Sequence, residues 1–111
     1  MPEHRKGPRK IFLTPVTLSL NSAQTHATRS YDLGSGGMAL IVPVRLSNDE
    51  TCTLGFEFDP HDAEPACQVS AQARIAWCLP CAQGFKIGLQ FIELQPAELL
   101  PRLQRFVNTS R

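Results

Sequence analysis

Hydrophobic and polar residues alternate along most of this chain, and the alternation predicts β-strands. Val16, Leu18 and Leu20 are separated by Thr17 and Ser19. After a turn expected at Asn21-Ser22, residues 25–33 place Ala27, Tyr31 and Leu33 on one side and His26, Thr28, Ser30 and Asp32 on the other. Met38, Leu40 and Val42 continue a buried face until Pro43. Cys52, Leu54, Phe56 and Phe58 follow the polar turn Ser47-Asn48-Asp49-Glu50, then Val69, Ala71, Ala73, Ile75 and Trp77, then Phe85, Ile87, Leu89 and Phe91. Six short strands with closely spaced turns point to an antiparallel barrel or sandwich. The last segment changes period. Leu99, Leu103 and Phe106 lie three or four apart, which is helical spacing. Pro101 suits the first helical position, so a helix is expected from about Pro101 to Asn108 after a turn or kinked first turn over 96–100, its apolar face over one mouth of the barrel.

Between the second and third of these strands lies Asp32-Leu33-Gly34-Ser35-Gly36-Gly37. Glycine lets another backbone or a ligand approach closely, and bare N–H groups at such a corner attract anions. Period 2 points Asp32 away from the face that buries Leu33. A carboxylate so placed can meet a ligand, or it can cap the turn.

Composition narrows the class. At 111 residues, 42% hydrophobic and 19% charged, the chain is sized for one domain with a modest core. No apolar run is long enough to span a bilayer, and no apolar segment follows the N-terminal basic residues as a signal peptide requires. A cytoplasmic protein without membrane insertion is expected. Charge is unevenly spread. Arg5, Lys6, Arg9 and Lys10 against Glu3 put three net positive charges on residues 1–10. The remaining seven basic and nine acidic side chains leave the body at −2. A basic arm over residues 1–10 and a single barrel domain over 11–111 are expected, with a local anion as partner.

Catalytic chemistry finds no constellation. Ser35 lacks a nearby His and the G-x-S-x-G elbow, and no P-loop lysine follows the glycines. Asp32 has no carboxylate partner for acid–base work. Of Cys52, Cys67, Cys78 and Cys81, only the last two form a C-x-x-C, and His4, His26 and His61 are scattered. A zinc site wants a second pair, so reduced cysteines and no metal or cofactor are expected. The chain is read as a non-enzyme.

Together these pieces resemble the PilZ domain family, bacterial receptors for the second messenger cyclic di-GMP. The family's R-x-x-x-R motif is matched by Arg5-Lys6-Gly7-Pro8-Arg9, and its [D/N]-x-S-x-x-G motif by Asp32 and Gly37 of the glycine corner. Met38-Ala39-Leu40, Ala73-Arg74-Ile75-Ala76-Trp77 and Gly88-Leu89-Gln90-Phe91 fit in order and spacing, so the resemblance covers essentially the whole chain. It implies a six-stranded antiparallel β-barrel with a C-terminal helix. It also implies a cyclic di-GMP site formed by Arg5, Arg9, Asp32, Gly34, Gly36 and Gly37, with ligand binding ordering the N-terminal arm and the signal passing to an unidentified partner protein. Gly34 stands where the family has Ser, which removes one hydroxyl contact. The alternative is an interaction adaptor that has lost the ligand. A single-stranded nucleic acid binder would need a long basic groove with stacking aromatics, and neither DNA nor RNA is expected.

Overall fold

The computed structural model describes residues 9–20, 24–61 and 63–108. Arg5 and the turn expected at Asn21-Ser22 lie outside them. Seven strands precede one helix: β1 (Arg9–Ile11), β2 (Pro15–Leu20), β3 (Thr25–Gly34), β4 (Gly37–Val42), β5 (Thr51–Phe58), β6 (Cys67–Cys81), β7 (Gly84–Gln95) and α1 (Leu99–Asn108). All pairings are antiparallel, and six strands close a barrel in the order β2-β3-β4-β7-β6-β5. Closure removes the exposed edges that an open sheet must protect. The seventh strand, β1, extends the β2 side of β3 and pairs Arg9 with Gly34 and Lys10 with Leu33. The first two of its residues belong to the basic segment whose remainder lies outside the described residues.

Alternation builds the core as expected on most strands. Leu18, Met38, Leu40, Leu54, Phe58, Ile75 and Ile87 are all fully buried. Burial, with repulsion from Glu50 adding to it, pushes the Cys52 thiol from 9.0 up to about 11. That thiol therefore stays protonated and unreactive at neutral pH.

Two strands break the simple period, and both breaks bear on the site. On β3 the expectation that Ala27 and Tyr31 face inward fails. Thr28 and Ser30 are buried, and Tyr31 is exposed. A register shift between Ser30 and Asp32 then returns Leu33 to the core. A bulge adds a residue to one strand and so exchanges its faces. The buried hydroxyls are satisfied: Thr28 Oγ1 donates to the Val16 carbonyl at 3.3 Å, and Ser30 Oγ accepts from the Thr14 N–H at 2.9 Å while donating to the Phe12 carbonyl. On β6, a shift between Ile75 and Trp77 turns Trp77 outward, against the expected burial. The strand also runs through Leu79-Pro80, expected to be a turn, and ends at Cys81. Past Arg74, β6 no longer pairs with β5. The missing N–H of Pro80 therefore falls on an open edge, where proline is tolerated.

Helix α1 starts two residues before Pro101. The first four N–H groups of a helix have no acceptor inside it, so proline in that turn removes nothing. Leu99, Leu103 and Val107 are buried beneath it, and Phe106 joins Phe12 and Phe58 in an aromatic cluster with ring centroids 5.6 Å apart. The buried Arg102 is matched by the Glu64 carbonyl at 3.0 Å and by the Phe58 ring, 5.0 Å from its guanidinium carbon. The helix thus closes one mouth of the barrel.

Candidate functional site

The two sequence motifs meet where β1 lies along the end of β3. Ile11 is opposite Asp32 in the ladder and Arg9 is two residues earlier on the same side of the strand. Arg9 and Asp32 are therefore diagonal neighbours, within reach of long side chains. Arg9 donates from Nη2 at 2.7 Å and from Nε at 3.1 Å, both to Asp32 Oδ1. The side chains are 22% and 20% exposed, so the pair lies at the surface with its outer side open. Nη1 of Arg9 and Oδ2 of Asp32 have no partner among the described residues. Together they present one donor group and one acceptor to whatever lies on this face.

The glycine corner divides into residues with different duties. Gly34 is buried in the ladder opposite Arg9. Ser35 is half-buried and Gly36 is exposed. The Gly36 carbonyl accepts the Phe91 N–H at 2.8 Å, which ties the corner to β7. A Cβ on Gly36 would meet nothing, whereas one on Gly37 would collide with the Leu89 carbonyl oxygen. The close approach that glycine permits at 37 is thus used by the neighbouring strand. A hollow of about 310 Å³ opens beside the corner, lined by Ser35, Gly36, Phe91, Glu93, Leu94 and Leu100. Its lining carries no cation, so it does not collect the donors an anion needs.

Sequence reasoning missed Trp77. Across the barrel surface the ladder aligns Asp32 with Ala39, Ala39 with Gly88, and Gly88 with Trp77. The indole lies over Gly88, where a Cβ would collide with its Cε2, Nε1 and Cζ2 atoms together. Only a residue without a Cβ lets the indole come this close to the strand. Trp77 is 38% exposed. The arrangement puts the ion pair and the indole on one row, and because the indole lies over Gly88 it stands about two strand spacings, roughly 10 Å, from Asp32. Gly84 opens β7 at its turn, and Gly88, the glycine inside the strand and opposite the only Trp, was the available signal.

Nothing among the described residues gathers three His, Cys, Asp or Glu side chains for a metal ion. Cys78 and Cys81 are free thiols, both half-buried. No helix among the described residues is long and apolar enough to cross a membrane.

Comparison with known proteins bears on this geometry. The family model of the PilZ domain matches residues 3–109. Among solved structures, the Bacillus subtilis inhibitor of motility (MotI/DgrA) superposes with a TM-score of 0.76 at 17% identity, over 96% of this chain and 51% of that one. The chain thus spans about half the length of the Bacillus protein. The PilZ domain of Escherichia coli YcgR, solved with c-di-GMP, superposes with a TM-score of 0.64 at 15% identity, covering 95% of this chain and 89% of that one. At these identities the likeness is one of fold. Among curated proteins the comparison found no match.

Proposed function

We propose that this chain, which belongs to the PilZ domain family, is a receptor for cyclic di-GMP that takes the ligand on its outer barrel face and signals to a partner protein. PilZ domains are receptor and adaptor domains rather than enzymes. The observation that carries the reading is the Arg9–Asp32 contact at 2.7 Å, which joins the two motif segments 23 residues apart in sequence.

Each group present has a matching part of the ligand. The planar fork of Arg9 can grip guanine O6 and N7, or a phosphate, with two hydrogen bonds. Asp32 accepts from the guanine N1–H and N2–H₂ or holds Arg9 in place. The exposed part of the Trp77 indole suits the flat face of a base. Arg5, four residues before Arg9, would close over the ligand and fix the N-terminal arm across it, changing the surface a partner meets. Gly34 subtracts one hydroxyl contact, worth about 0.5–1.5 kcal/mol, or roughly 2- to 15-fold in affinity. An arginine retained in a charge-assisted contact is worth more, about 1.5–3 kcal/mol.

The chain has one Trp, so its emission reports on this face alone. Cyclic di-GMP should quench or shift that emission saturably, and Arg9→Ala should weaken the response. Emission that stays flat to high micromolar ligand contradicts a ligand lying over Trp77.

A further inference from the structure

Lys86 brings a second cation to this face from the far side of the row. It stands on β7 two residues before Gly88, opposite Ile41 of β4 and Leu79 of β6. Its ammonium lies 3.7 Å from the centre of the Tyr31 ring. Tyr31 belongs to β3, and β4 runs between β3 and β7. The Lys86 and Tyr31 side chains therefore meet above β4, about one strand spacing from each backbone.

Because Tyr31 directly precedes Asp32, the ammonium above β4 stands one strand from the Asp32 end of the row. Arg9 and Asp32 neutralise each other. Lys86 has no carboxylate partner among the described residues, so its charge is not neutralised there.

We infer that Lys86, seated on Tyr31, is a phosphate-binding cation of this face, additional to the two motif arginines. The inference rests on the cyclic di-GMP reading. An ammonium is a compact point charge with three donors and no planar fork. It suits a phosphodiester oxygen, leaving guanine O6 and N7 to the arginine. Folding the side chain back onto an aromatic ring holds the charge in place before the ligand arrives, which lowers the ordering cost of binding.

Lys86→Met separates this role from a merely structural one, because it keeps an unbranched apolar stem and removes the charge. Calorimetry with cyclic di-GMP should show at least tenfold weaker binding for Lys86→Met, from the loss of one charge-assisted contact. Binding to the variant should also depend less steeply on salt than binding to the wild type, while the melting temperature is unchanged. Lys86→Arg should recover most of the affinity. If Lys86→Met binds like the wild type while Arg9→Ala is weakened, the inference falls and the receptor reading stands. If the wild type itself does not bind, both fall.

Discussion

Gly36 and Gly37 adjoin in the same corner, and the structure asks opposite things of them. A Cβ at 36 projects into open space, while one at 37 strikes the backbone oxygen of Leu89, which cannot swing aside as a side chain could. Gly36→Ala should leave the melting temperature within a degree or two of the wild type. Gly37→Ala should cost about 1–3 kcal/mol or more through overpacking, read by denaturant unfolding. Equal stability of the two variants would show that β4 and β7 are not held as close as described. Arg9 and Asp32 could be picked out from the sequence because each sits in a short motif whose chemistry matches guanine and phosphate. Trp77 and Lys86 could not. Trp77 falls on the buried period of its strand, and only a register shift in three dimensions turns it out. Lys86 looks like an ordinary surface lysine until its seat on the Tyr31 ring, from two strands away, is seen.

Among the elements, β1 has two faces with separate tasks. Arg9 holds Asp32 on the outside. Lys10, pointing the other way, donates to the Phe106 carbonyl at 3.1 Å and lies 4.6 Å over the Phe106 ring. A cation beside the carbonyls at a helix C-terminus is doubly favoured, by the hydrogen bond and by the helix dipole. With Phe12 packed edge-on to Phe106, β1 fastens the last turn of α1 to the barrel mouth. Lys10→Met should loosen that turn by about 1 kcal/mol. Hydrogen exchange should then be roughly fivefold faster at the amides of residues 103–107, with barrel amides unaffected. Unchanged exchange there would remove Lys10 from the fastening. The six barrel strands and the helix were legible as elements because apolar residues recur at period 2 or at helical spacing, although on β3 that period assigned the wrong face. The three-residue β1 carries too little pattern to show in sequence. The β3 and β6 bulges were hidden for a related reason, since period 2 gives no warning of an inserted residue.

For the whole molecule, closure of the barrel is what assembles the candidate face. Arg9, Asp32, Lys86 and Trp77 come from β1, β3, β7 and β6, and the chain between the first and last spans most of the domain. Only the closed order, in which β4 joins β3 to β7, sets them side by side. The barrel could be anticipated from six alternating segments, but strand order could not, because β4 pairs with β7 across two intervening strands in sequence. Charge follows the same division. The net positive segment leads into β1 beside the face, on a body that is slightly acidic, which favours a compact anion over an extended nucleic acid backbone. The most direct test of a cyclic di-GMP receptor is titration calorimetry of the full chain beside Arg9→Ala and Asp32→Ala, with circular dichroism to confirm that the variants keep the barrel. The wild type should give a saturable binding heat, and Arg9→Ala should bind about 10- to 100-fold more weakly. No binding heat from the wild type at high micromolar ligand, or equal affinity in Arg9→Ala, would contradict it.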